Sequence, residues 1–200
     1  MARVNNLLVG LIILINAYVI VTPFVPQLIY WYEKNHTSQY SQLEKKVSTP
    51  AKTNPKSKNS NSSSVQANSL IVPSMLLDQP IYQGPTWQTY QILAKGIWLW
   101  PKGSTPDKGG NTILIGHRFT YTSPRGVFYE LNQVKLNDQL ALWWNGIKYT
   151  YVVTSINIVP PTQTSILNPT TNPQLTLYTC TPLFNPVSRL VVVANLESET

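Results

Sequence analysis

The chain has 200 residues, long enough for one ordinary domain with accessory segments and too short for two full-sized enzyme domains. Its formal charge of +7 sits mostly on the N-terminal side, with seven Lys/Arg against two Asp/Glu up to Ser69 and eight against six from Leu70 onward. The basic residues of the remainder are scattered, which excludes the concentrated stripe of a nucleic-acid groove, and a single cysteine, Cys180, excludes a disulfide framework and a multi-cysteine metal site.

Residues 7–25, LLVGLIILINAYVIVTPFV, carry no charge. At about 1.5 Å per residue a helix of this length crosses a hydrocarbon core of about 30 Å. Tyr30, Trp31 and Tyr32 follow where an interfacial aromatic belt belongs. The apolar run exceeds a usual signal-peptide h-region and no small-x-small site follows it, so residues 1–33 are expected to be a cytoplasmic stub and an uncleaved transmembrane anchor. Residues 34–69 are dominated by Ser, Asn, Lys, Gln and Thr and predict a flexible basic linker. His36 falls there and reads as a solvated histidine, which leaves His117 as the histidine of the following domain, residues 70–200.

From Leu70 the chain turns to short runs of Val, Ile, Tyr, Trp and Thr separated by Pro, Gly, Asn and Asp. Strands are expected over 69–72, 81–82, 112–117, 139–144, 147–158, 175–179 and 189–196. Short helical turns are expected over 86–94 and 127–131, and Asn145-Gly146 between alternating runs marks a two-residue hairpin. A small β-barrel or sandwich follows.

Strand alternation puts Thr176, Tyr178 and Cys180 on one face, with Cys180 at the strand's end before Pro182 and Asn185-Pro186. If this strand pairs with the one beginning at Arg189, Cys180 and Arg189 meet at one rim, where a guanidinium can steady a thiolate or an oxyanion. His117 ends a third apolar strand, and an imidazole near the thiol can exchange a proton with it. On geometry alone each also has a plain reading: a buried filler thiol, a rim histidine and a solvated strand start.

The motifs add a specific likeness. Thr176-Leu177-Tyr178-Thr179-Cys180 resembles the TLxTC signature of sortases, and TPLFNPVSRLVV resembles their Cys-to-Arg stretch. GNTILIGHR (residues 110–118), ILNPT (166–170) and LLDQPIYQG (76–84) resemble further family segments in the family's order, so that about 130 residues are covered. The resemblance implies an all-β fold, a closed eight-stranded β-barrel with a few short helices, outside the cytoplasm on a single-pass anchor in the cell membrane. It implies a cysteine transpeptidase that cleaves an LPxTG-like sorting motif between Thr and Gly, with Cys180 forming a thioacyl enzyme, His117 as acid and base and Arg189 at the oxyanion or substrate carbonyl. Thr179, Tyr178 and Arg118 are then expected to bind substrate. The implied partners are surface proteins bearing a sorting motif and an amine acceptor from cell-wall peptide or a pilin lysine.

The chain ends at Thr200 soon after its last strand and shows no lid motif, and GHRFTY and ILNPT resemble class D and E housekeeping enzymes more than pilin-polymerising ones. Asp78, Asp107, Glu130 and Asp138 are spread singly, so no metal and no cofactor are expected. Two other readings compete with this one. An L,D-transpeptidase would keep its His and Cys close together, against a separation here of 63 positions from His117 to Cys180. A tethered, non-catalytic β-domain would use Trp87, Trp98, Trp100, Trp143 and Trp144 on envelope glycan or peptide, although tryptophans in small β-domains more often serve packing.

Overall fold

The computed structural model describes residues 2–50, 68–120, 125–183 and 185–200. The chain divides into two units, residues 1–40 and 41–200. In the first, α1 (Ala2–Val21) passes through a 3-10 turn (Thr22–Phe24) into α2 (Val25–His36). Pro23 and Pro26 stand at this junction, where the missing N–H of each is tolerated because it falls in a first turn. Leu7, Leu11, Ile15 and Val19 project outward, and the segment from Asn6 to His36 is long and apolar enough to cross a membrane. His36, expected in the linker, is the last residue of α2 and stacks on Tyr32.

The tether expected over 34–69 also differs at α3 (Gln39–Ser48). Its average composition hides a pair at helical spacing, Leu43 and Val47, which are buried with Ile71 and Ala141 and packed by Trp143. Lys46 pairs with Asp78 at 2.6 Å. The buried Lys148 ammonium donates to the carbonyls of Val47 and Thr49, supplying acceptors that end a helix with a cation. Residues 51–67 of the expected linker lie outside the described residues.

Eight strands close into a barrel: β1 (Ser69–Val72), β2 (Leu77–Tyr82), β3 (Ile97–Leu99), β4 (Asn111–Ile115), β5 (Gln139–Trp144), β6 (Ile147–Val159), β7 (Gln174–Thr181) and β8 (Ser188–Glu199). Their order around the barrel is β1-β2-β3-β4-β7-β8-β6-β5. The all-β, eight-stranded expectation holds. So does the hairpin at Asn145-Gly146, whose φ values of 50° and 83° are those of a type I′ turn. The expectation lacked β3, three residues between Gly96 and Trp100, too short for alternation to show. The turn expected over 86–94 is a 3-10 turn running into α4 (Thr89–Leu93).

Leu70, Leu114, Leu140, Leu142, Leu175, Leu177 and Val192 alternate inward to fill the barrel. Phe128 and Leu131, from the connection after β4, complete the same core. Two neighbour pairs, β2–β3 and β4–β7, are parallel and the rest antiparallel. The parallel β4–β7 pair decides the site, because it brings the C-terminal ends of two distant strands to one rim.

Candidate active site

β7 begins as a barrel wall, with Leu175, Leu177 and Thr179 inward and essentially inaccessible. Tyr178 and Cys180 therefore face outward, and both are half-buried. In the antiparallel β7–β8 ladder Cys180 stands directly opposite Arg189, so their side chains leave the same face as close cross-strand neighbours. Arg189 is held in place by its own hydrogen bonds. Its Nε donates to the Tyr178 hydroxyl at 3.1 Å, and Nη1 donates to the carbonyls of Pro186 and Ser188 at 3.2 and 2.9 Å. Among the described residues Nη2 has no protein acceptor, which leaves it to meet an incoming anion or carbonyl.

The parallel β4–β7 ladder runs in constant register from Asn111 opposite Gln174 to Ile115 opposite Tyr178. Two bonds carry it further: the Gly116 N–H donates to the Tyr178 carbonyl at 3.2 Å, and the Thr179 hydroxyl donates to the Gly116 carbonyl at 2.7 Å. Continued by two residues past Ile115 and Tyr178, the same register brings His117 level with Cys180 on the outer face. Gly116 is needed for this approach, because a Cβ there would lie 2.7 Å from the side chains of Val127 and Phe128. The His117 carbonyl accepts from the Phe128 N–H at 2.9 Å. Among the described residues neither ring nitrogen has a hydrogen-bond partner, and burial lowers the imidazole pKa from its ordinary value. A base that is neutral near neutral pH, beside a thiol and across from a guanidinium, is suited to nucleophilic acyl chemistry.

The side chains of Thr179 and Arg118, expected to contact substrate, make hydrogen bonds within the chain. Thr179 is 1% exposed and its hydroxyl is committed to Gly116, because alternation sends it into the barrel. The Arg118 guanidinium donates to Thr181 Oγ1 at 2.7 Å, Asn132 Oδ1 at 2.8 Å and the Tyr129 carbonyl at 3.3 Å. Each of its three nitrogens thus makes a hydrogen bond within the chain. Tyr178, also expected at the substrate, shares the outer face with Cys180 while its hydroxyl supports Arg189.

Sequence reasoning did not single out Asn111. It is 1% exposed at the start of β4, and its amide donates to the carbonyls of Ile166 and Asn168 at 3.1 and 3.0 Å while its Oδ1 accepts from Thr176 Oγ1 at 2.7 Å. The connection between β6 and β7, which carries ILNPT, is thereby fixed to the barrel. The signal was present in GNTILIGHR, as a polar residue opening an apolar strand. Among the described residues no three His, Cys, Asp or Glu side chains group as a metal site.

A family model described as a sortase domain matches residues 70–197. The chain is 27% identical over 128 residues to sortase A of Bacillus anthracis, covering 64% of this chain and 58% of that protein. To sortase D of Bacillus subtilis (strain 168) it is 30% identical over 114 residues, covering 56% and 53%. It thus spans little more than half the length of these curated relatives. The solved structure of Listeria monocytogenes sortase A superposes with a TM-score of 0.56 at 26% identity, over 66% of this chain and 88% of that one.

Proposed function

The chain belongs to the sortase family, and on that footing we propose that it is a membrane-anchored cysteine transpeptidase acting at a peptide sorting signal of the LPxTG kind. The observation that carries this is the single row across three strand ends: His117 by extension of the β4–β7 register, Cys180 on β7, and Arg189 opposite it on β8. On this reading three residue types needed for thioacyl transfer stand at one level and on one face.

The chemistry follows from their roles. His117 takes the Cys180 thiol proton as the sulfur attacks the carbonyl carbon of the Thr–Gly bond, and the oxygen gains negative charge that the free nitrogen of Arg189 steadies. As the tetrahedral species collapses, the C–N bond breaks and His117 donates a proton to the departing amine. A thioester remains on Cys180. An acceptor amine then attacks this thioester, giving a proton to His117, and as the C–S bond breaks and the new amide leaves, His117 returns that proton to the sulfur and the thiol is restored. The helical segment before the barrel would hold the enzyme at the membrane with the barrel outside the cytoplasm, where surface proteins and cell-wall or pilin amines meet it.

The test is release of the leaving peptide from an LPxTG-type substrate by the full chain in detergent. Cys180→Ala should abolish it with the β-sheet circular dichroism unchanged. Equal release by the variant would refute the assignment.

A further inference from the structure

Four successive positions along β4 and the residues after it share one numbering with β7. Ile115 pairs with Tyr178, the last rung of the backbone ladder. Next, the side chain of Thr179 bonds the Gly116 carbonyl. His117 and Cys180 follow, level with each other and without a hydrogen bond between them among the described residues. One residue beyond, Arg118 Nη1 bonds Thr181 Oγ1 at 2.7 Å. The separation in sequence is the same in every case, so the Arg118–Thr181 bond occupies the rung after His117 and Cys180. By alternation it lies on the opposite face from them. Thr181 is 6% exposed, and a 2.7 Å charge-assisted bond at a partly buried site is among the stronger and more directional contacts available.

We infer that Arg118 is a positioning residue that sets the spacing of His117 and Cys180, rather than a substrate contact. The proton-transfer pair stands where the backbone ladder has already ended, and two side-chain bonds bracket it, Thr179 to Gly116 before and Arg118 to Thr181 after. Arg118 adds a third and fourth anchor through Asn132 Oδ1 and the Tyr129 carbonyl. These fix the backbone that carries His117 to the connection after β4 that supplies Phe128 and Leu131 to the core. The remaining charges near this strand end do not replace it: Arg125 pairs with Glu130 at 3.1 Å, and Arg189 lies on the far side of β7. A lysine at 118 carries its three donors on one nitrogen and cannot reproduce bonds that leave from three separate nitrogens of a planar guanidinium.

The inference rests on the proposed pairing of His117 with the Cys180 thiol. Its test is the rate of Cys180 alkylation by iodoacetamide against pH in the full chain in detergent, for the wild type, His117→Ala, Arg118→Gln, Arg118→Lys and Thr181→Val. The wild type should show reactivity near neutral pH that His117→Ala lacks. Arg118→Gln and Thr181→Val should lose most of that component, about tenfold in rate and within the roughly hundredfold that a 1 Å misplacement can cost. All should converge with the wild type at high pH, where the thiolate forms unaided. Thr181→Val removes only the acceptor and keeps the side-chain shape, so it reports even if an Arg118 variant unfolds. A wild-type profile in both Arg118→Gln and Thr181→Val overturns the positioning role and leaves the catalytic pair standing. A wild-type profile in His117→Ala overturns the pair itself, and the positioning role with it.

Discussion

The hydroxyl of Tyr178 accepts a 3.1 Å hydrogen bond from Nε of Arg189, two residues along β7 from the cysteine that Arg189 faces. A guanidinium held by Tyr178 on one side and by the Pro186 and Ser188 carbonyls on another presents its remaining nitrogen in one direction. Arg189→Lys should lower kcat by roughly 100-fold to 1,000-fold, the cost of one oxyanion donor, because an ammonium cannot keep these bonds and reach the substrate as well. Tyr178→Phe removes one neutral acceptor and should lower kcat about fivefold. Steady-state kinetics on both variants checks the order, and a larger loss in Tyr178→Phe would contradict it.

Acid stability should carry a signature of His117. Burial holds its pKa below the ordinary value of 6.5, so between the folded value and 6.5 the unfolded chain binds the proton more readily. Stability from this site is then fully present above pH 6.5 and is lost as the pH falls through the folded value. Thermal unfolding from pH 8 to pH 5 should show a smaller loss of Tm in His117→Gln than in the wild type, with the difference confined to the acid side. Parallel curves would show that the imidazole is not desolvated.

Asn111 anchors the connection between β6 and β7 through two hydrogen bonds and is itself tied to β7 by a third, from Thr176. Asn111→Ala leaves two carbonyls and a hydroxyl without their partner, at a cost of roughly 2 kcal/mol or more. Urea denaturation measures the cost, and limited proteolysis should find new cleavage within residues 160–173. Unchanged stability would mean that water replaces the amide at no cost.

Lys148→Met should release α3 while leaving the barrel folded. The ammonium is what satisfies the Val47 and Thr49 carbonyls from the barrel side, and a thioether cannot. Hydrogen exchange should quicken in residues 41–48 and stay unchanged in β7 and β8. Protection lost throughout would make Lys148 a part of the core, and protection kept in α3 would assign docking to Leu43 and Val47 alone.

The sheet was legible where alternation ran long enough, as at β5 with its Asn145-Gly146 turn and along β6 and β8. It was not legible in β3, where three residues carry no period, or in α3, where two apolar residues are diluted by polar neighbours. At the site, the cross-strand meeting of Cys180 and Arg189 follows from a local hairpin and could be read directly. The standing of Thr179 and Arg118 depends on a parallel pairing between strands separated by two others in sequence. Nothing local announces that a hydroxyl before the cysteine, and a guanidinium after the histidine, will spend their donors holding those strands together.

The most direct measurement is mass spectrometry of the full chain in detergent after exposure to a small set of LPxTG-like peptides. A mass increase equal to the fragment ending at Thr, located on Cys180 and removed by hydroxylamine, is the predicted result, with Arg189→Lys accumulating it more slowly. A Cys180 that reacts stoichiometrically with iodoacetamide yet carries no acyl fragment from any peptide, while the intact peptides still bind, would contradict transpeptidation and leave a binding domain in its place.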